Sequence, residues 1–273
     1  VETERKTLGR ADCSIAYELR GAGPGQTVVL LHGFGMTRKS LRPLAAILHA
    51  CGAAARSVLP DARGHGETRA PERDDAYGYP EMAGDLILLL EREAPSGAHL
   101  VGHSMGGQIA LMAAISRPEL VRSLALVAAG PCRAVGDERE RRRWQRAAAA
   151  FEGASRAQLC AALASAAPTE DPKLEPERLY GDADGASLAR VVRGGFLHVE
   201  RNDHLCGQLA APALVIAGGR DQTWIEPSRQ LARLLPKSEL RIVEDAGHLV
   251  HLEHLDEAAG WIADFVRAHA GGA

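Results

Sequence analysis

The sequence holds no run of about twenty apolar residues, so nothing in it reads as a membrane span. Cysteine is sparse and unpaired in pattern. Cys13, Cys51, Cys132, Cys160 and Cys206 are scattered, odd in number, and never spaced C-x-x-C. That excludes a disulfide framework and a cysteine zinc site, and reads as small buried hydrophobes in a reducing compartment. Positive charge is not in surplus: 32 Lys and Arg stand against 35 Asp and Glu, for a net charge of −3. No basic surface is available for a phosphate backbone, so nucleic acid is not an expected partner. The charged stretch from Val1 to Arg10 lacks a secretory signal pattern, and no repeat of fixed period is visible. The expectation is a cytoplasmic protein that meets neither membrane nor nucleic acid. A removed leader stays open, because the first residue is valine and not methionine.

What is present is a 273-residue chain, 46% hydrophobic and 25% charged. Such a chain can bury a large core without covalent staples. Apolar runs of strand length alternate with helix-length segments. Residues 14–19, 27–32, 54–59, 98–103, 123–128, 212–217 and 239–243 read as strands. Residues 39–50, 81–93, 105–117, 227–235 and 257–269 read as helices. This alternation predicts an α/β fold with a mostly parallel sheet, covered on both faces. Right-handed crossovers then bring the strand C-termini to one edge, where ligands bind.

Residues 131–211 break the rhythm and contain no convincing strand. Trp144, Ala147, Ala148 and Phe151 form one helical stripe, Leu159, Cys160 and Leu163 a second, and Leu188, Val191, Val192 and Phe196 a third. Pro168, Pro172 and Pro176 punctuate the gap between the last two. The expected organisation is a core of residues 1–130 and 212–273 with a helical cap of 131–211 over the strand C-termini. The run Glu138 to Arg143 reads as a solvated helix face, with Glu138 and Arg142 at i,i+4 spacing.

Chemistry concentrates at Gly102-His103-Ser104-Met105-Gly106-Gly107, where a strand becomes a helix. A serine raised on so sharp a turn needs small neighbours, and the helix that follows aims its positive N-terminus at the site. A serine hydroxyl is a poor nucleophile near neutral pH. It needs a base within hydrogen-bond reach and a carboxylate to orient that base. Asp221 follows the apolar run from Pro212, and His248 follows strand 239–243 in a short loop, so both lie beyond strand ends on the edge that carries Ser104. Asp245 is too near His248 in sequence to reach round its ring, and no acid follows strand 123–128, where the chain reads Ala129-Gly130-Pro131. Asp61 and Asp85 read as structural, Asp61 as a brace for the Arg63–Gly66 turn. His248, His251 and His254 recur every third residue, but H-E-x-x-H is absent, and no metal ion is expected. His251 and His254 read as the start of the last helix.

These pieces together resemble the α/β-hydrolase superfamily over nearly the whole chain. They are Tyr17 to Gly33, Asp61 to Gly66, Gly102 to Gly107, the run ending at Asp221, and Ala246 to Glu253. The resemblance implies an eight-stranded, mostly parallel sheet flanked by helices, with an insertion after the sixth strand. It implies Ser104, Asp221 and His248 as catalytic residues. It also implies an oxyanion hole from the backbone N–H groups of Met105 and of Phe34, in the His32–Gly35 loop. A proline often follows the last motif, and His254-Leu255 stands there instead.

Serine at position 104 disfavours the alkyl-enzyme chemistry of relatives that carry aspartate there. Acyl transfer on a carboxylic ester or lactone is the expected reaction, with no cofactor. Thioester and carbon–carbon bond hydrolysis, a lyase or cyclase on the same fold, and a binding protein without turnover stay open. The substrate is expected to be a small to medium, largely hydrophobic molecule, with activity falling for charged acyl groups. Candidate pocket residues are His32, Trp144, Phe151, Leu159, Leu163, Phe196 and Trp224.

Overall fold

In the computed structural model, residues 2–132 and 137–271 are described. Eight strands form one sheet: β1 (Thr3–Arg10), β2 (Cys13–Arg20), β3 (Thr27–Leu31), β4 (Arg56–Pro60), β5 (Ala98–His103), β6 (Val121–Val127), β7 (Ala213–Gly218) and β8 (Ser238–Val243). Their spatial order is β1-β2-β4-β3-β5-β6-β7-β8. β1 and β2 pair antiparallel, as do β2 and β4, and all the other neighbours run parallel. The helices are α1 (Arg42–Ala50), α2 (Tyr79–Glu93), α3 (Met105–Ser116), α4 (Glu138–Glu152), α5 (Arg156–Ala166), α6 (Pro176–Tyr180), α7 (Gly185–Arg190), α8 (Asp203–Cys206), α9 (Ile225–Leu234), α10 (Val250–Glu253) and α11 (Leu255–Ala268).

Alternate residues of a strand face opposite sides of the sheet, and the core divides accordingly. Val29, Leu31, Leu100, Leu124 and Val215 join one apolar cluster with residues of α2 and α3. Val28, Leu30, Val101, Ala125 and Leu214 join a second with residues of α1 and α11. β5 is buried along its whole length, as its apolar composition requires of a central parallel strand. The pattern of strands and helices read from the sequence is therefore observed, with two corrections. β4 begins at Arg56 and not at residue 54, because the N–H groups of Ala53 and Ala54 are still bonded to Leu48 at the end of α1. β1 was not foreseen. Among its residues only Leu8 is buried, so an edge strand with a charged, solvated pattern carries no apolar alternation to read.

Between β6 and β7 the regular structure among the described residues is helical, with no strand. The helix starts are chemically set. Asp137 accepts from the N–H of Glu140, Ser155 and Gln158 form a capping box, and Asp184 accepts from the N–H of Ser187. The third apolar stripe is helical as expected, but it widens from α7 into a π-turn over Val191–Phe196. All three stripes meet in a third cluster, which includes Phe151, Leu159, Leu163, Leu188 and Val192 together with Met36 and Leu249 from the sheet side.

Buried arginines fix the loops beneath the site. Arg63 is enclosed and bonded to Asp85, Asp12 and the carbonyl of Ala76. Arg38 pairs with Asp61, Glu67 and Glu18. Asp61 also accepts from the N–H of Glu67 and, through its carbonyl, from the Thr68 hydroxyl, and so braces the turn through Gly66. Removing one member of such a pair strands a buried charge. Asp85→Ala is expected to cost about 3–5 kcal/mol of stability, read by urea unfolding; a change below about 1 kcal/mol would show that Arg63 is supported by Asp12 alone.

Candidate active site

Ser104 sits between β5 and α3 with φ +51° and ψ −115°, a conformation rare for any residue but glycine. The turn persists because its surroundings over-determine it. The Ser104 N–H donates to the carbonyl of Val127, and its carbonyl accepts from the N–H groups of Gly107 and Gln108. Glycine is required on both sides: a Cβ at residue 102 would lie 2.5 Å from the Gly106 oxygen, and one at residue 106 would lie 2.4 Å from the Leu31 oxygen.

The loops after β7 and β8 bring two more side chains to this turn. His248 Nε2 lies 3.0 Å from Ser104 Oγ, and His248 Nδ1 lies 2.7 Å from Asp221 Oδ2. A carboxylate accepts only, so Nδ1–H donates to Asp221 and Nε2 is left to accept from the serine hydroxyl. The second oxygen of Asp221 accepts from the N–H groups of Thr223 and Trp224, which holds the carboxylate in place. Glu253 accepts from the N–H of Gly247 and ties down the loop before His248. His103 donates from Nε2 to the carbonyl of His248, with a ring separation of 4.9 Å.

Neutral histidines also hold the loop after β3. His32 donates from Nδ1 to the Gly33 carbonyl and accepts at Nε2 from the Ala62 N–H. His65 donates from Nδ1 to the Arg63 carbonyl and accepts at Nε2 from the Gly35 N–H. Burial depresses both, and His65 is pushed down to about 3 by desolvation and by the charge His32 would carry. Among the described residues, the N–H groups of Phe34 and Met105 have no protein acceptor.

The same physics applies to His251, lowered to about 3, and His99, lowered to about 4, both chiefly by burial. A depressed base stays neutral in the fold but takes a proton in the unfolded chain below about pH 6.5. Its contribution to stability is therefore present above pH 6.5 and lost as pH falls towards 4. Urea unfolding between pH 7 and pH 4 should show a steady decline that His99→Gln makes shallower; an unchanged slope in that variant would contradict the assignment.

A cavity of about 230 Å³ opens beside Ser104, His248 and Met105. Six of the chain's eleven Phe, Tyr and Trp residues line it: Phe34, Tyr79, Trp144, Tyr180, Phe196 and Trp224. Phe196 is the hub, with ring centroids 4.9 Å from Phe34, 4.9 Å from Trp144 and 6.1 Å from Tyr79. Of the candidate pocket residues, Trp144, Leu163, Phe196 and Trp224 line the cavity. His32, Phe151 and Leu159 do not. His32 is bonded at the base of the loop, while Phe151 and Leu159 face the helical cluster behind, with Phe151 6.1 Å from the Phe34 ring.

Three further corrections concern charged or polar residues. Glu140 and Arg143, expected on a solvated face, line the cavity; Glu140 lies one turn before the inward-turned Trp144 on the same face of α4. The Glu138–Arg142 pair is formed on the exposed side, at 3.4 Å. His251 belongs to the separate one-turn α10, whereas His254 is the N-cap of α11, at the start of the last helix as expected. Cys51 is exposed, unlike the other four cysteines, and all five are free thiols. Sequence reasoning missed Tyr79 and Gln108. Gln108 had a usable signal, since i+4 from Ser104 lies on the same helix face; Tyr79 and Tyr180 had none.

Residues 26–255 match the alpha/beta hydrolase fold family, and the chain belongs to it. One relative, the dihydrolipoyllysine-residue acetyltransferase component of the acetoin cleaving system of Pseudomonas putida, is 33% identical over 93% of this chain; the chain spans 66% of that protein's length. A second, a putative 2-succinyl-6-hydroxy-2,4-cyclohexadiene-1-carboxylate synthase of Bacillus subtilis, is 28% identical over 88% of this chain and 90% of its own. Among solved structures, a thermophilic esterase from Thermogutta terrifontis superposes with a TM-score of 0.86 at 22% identity, covering 98% of this chain and 99% of its own, which shows the shared fold. Among the described residues no helix is long and apolar enough to cross a membrane, and no group of three or more His, Cys, Asp or Glu is placed to hold a metal ion.

Proposed function

We propose that the protein is a serine hydrolase that cleaves a carboxylic ester or lactone through an acyl-enzyme on Ser104. The observation that carries this reading is the relay of Ser104 Oγ, His248 and Asp221 at 3.0 Å and 2.7 Å, raised on a strained turn at the floor of the cavity. As Oγ bonds to the carbonyl carbon, its proton passes to His248 Nε2, and Asp221 stabilises the imidazolium that forms. The N–H groups of Phe34 and Met105 receive the oxyanion, each such donor being worth about 3 kcal/mol of barrier. His248 then gives its proton to the leaving oxygen. Water, deprotonated by the same imidazole, releases the acid and restores Ser104.

In this reading the helices between β6 and β7 act as a cap that shapes the substrate site. Trp144, Tyr180 and Phe196 come from it and supply half of the aromatic lining. That wall suits a small to medium molecule with a largely apolar body. A fluorophosphonate probe should label Ser104 in the native protein and leave Ser104→Ala unlabelled. Rates on nitrophenyl esters, lactones and thioesters, compared as kcat/KM, rank the bond cleaved. A second reading, a lyase on the same scaffold, has the similarity to the Bacillus subtilis synthase in its favour. It requires turnover that survives Ser104→Ala and fails in His248→Ala.

A further inference from the structure

The cavity wall contains a hydrogen-bond donor that the hydrolytic machinery does not use. Gln108 stands four residues after Ser104 on α3 and lines the cavity, yet only 7% of its surface is exposed. Its Oε1 accepts from the hydroxyl of Tyr79, which is itself buried at the start of α2. Burial holds the Tyr79 hydroxyl well above its ordinary titration range, so it keeps its proton. With Oε1 occupied, the amide nitrogen Nε2 is turned the other way. Among the described residues that Nε2 donates to no protein acceptor. An amide donor that meets the cavity surface with no protein acceptor is open to an acceptor on a ligand.

From this arrangement we infer that Gln108 is a specificity-determining residue, and that the substrate carries a second oxygen acceptor, a carbonyl or ether, beside the bond to be cleaved. The spacing follows from the helix. Residues i and i+4 stand one turn apart, about 6 Å along the axis. That separation corresponds to an acceptor three to five bonds from the scissile carbonyl. The aromatic rings around Phe196 take the apolar part, and the amide sets which end of the molecule points inward. A hydrocarbon analogue entering the same space leaves the Gln108 N–H groups desolvated and unbonded, which is how a polar site rejects a ligand lacking the matching group. The inference rests on the proposed ester or lactone chemistry for its substrate class, but the donor itself is testable by binding alone.

Methyl 4-oxopentanoate and methyl pentanoate form a matched pair, as do the acetates of 4-hydroxybutan-2-one and of butan-1-ol. In Ser104→Ala protein, titration calorimetry should show one oxo compound of the two pairs binding about tenfold tighter than its alkyl partner, the size expected for one good hydrogen bond. Gln108→Leu should erase that preference. Gln108→Glu, of the same shape but carrying an acceptor in place of the amide donor, should erase it too, and Tyr79→Phe should weaken it by freeing the amide to rotate. Thermal unfolding establishes that each variant is folded, and Tyr79→Phe serves where a Gln108 variant is not. Equal binding within both pairs, or a preference that persists in Gln108→Glu, overturns the inference. A binding preference without turnover of any ester by the native protein leaves the Gln108 donor standing and contradicts the hydrolase reading instead.

Discussion

Replacing Ser104 by alanine is expected to lower kcat for ester hydrolysis by about 10⁵ to 10⁶, with KM changed little. The magnitude follows from what remains. In the proposed mechanism the Phe34 and Met105 N–H groups and the aromatic cavity would still bind and polarise the ester, and such residual elements preserve about 10³ to 10⁴ over the reaction in water. What is lost is the covalent route, since water must now attack directly. His248 loses its hydroxyl partner at 3.0 Å but keeps its bond to Asp221, so the fold should be undisturbed. Ser104 also occupies a positive-φ conformation that alanine tolerates no better, so a large stability change is not expected to confuse the result. Steady-state kinetics with a nitrophenyl ester, together with an unfolding curve, read both quantities. A loss below about tenfold would mean that the hydroxyl is not the nucleophile.

The second large effect is expected at Asp221. Asparagine there keeps the shape but can present an N–H to His248 Nδ1, which favours the tautomer with its proton on Nε2. That proton faces Ser104 Oγ and removes the acceptor on which the proton transfer depends. A fall in kcat of about 10⁴ is expected near neutral pH. The carboxylate is buried and fixed by the Thr223 and Trp224 N–H groups, which hold it in position against His248 Nδ1. Asp221→Ala should be similarly inactive and also lose the anchor for the loop after β7. Near-native kcat in Asp221→Asn would place the orienting group elsewhere.

How much of this was legible beforehand depends on what each residue buries. β5 and β7 announce themselves because central parallel strands must be apolar on both faces. The turn at Ser104 was readable because backbone crowding leaves only glycine at 102 and 106. The approach of His248 and Asp221 was readable as an edge of the sheet, though not as a distance. β1 left no trace, since only Leu8 of its residues is buried and its exposed polar residues carry no apolar alternation. Phe151 and Leu159 share a face with Trp144 and Leu163 by periodicity alone. Which of them meets the cavity is decided by how α4 and α5 pack on Phe34 and Phe196, and helical spacing does not encode that. Tyr79 reaches Gln108 across twenty-nine positions of sequence, a tertiary contact between α2 and α3 with no local signature.

Rapid mixing of the native protein with an activated ester, acid quenching within milliseconds and intact-mass measurement reports directly on whether the serine oxygen forms a covalent bond during turnover. The expected result is a transient mass increase of one acyl group, mapped by fragmentation to the peptide containing Gly102 to Gly107, prolonged in His248→Ala and absent in Ser104→Ala. Turnover at full rate with no such species, undiminished in Ser104→Ala, would contradict it.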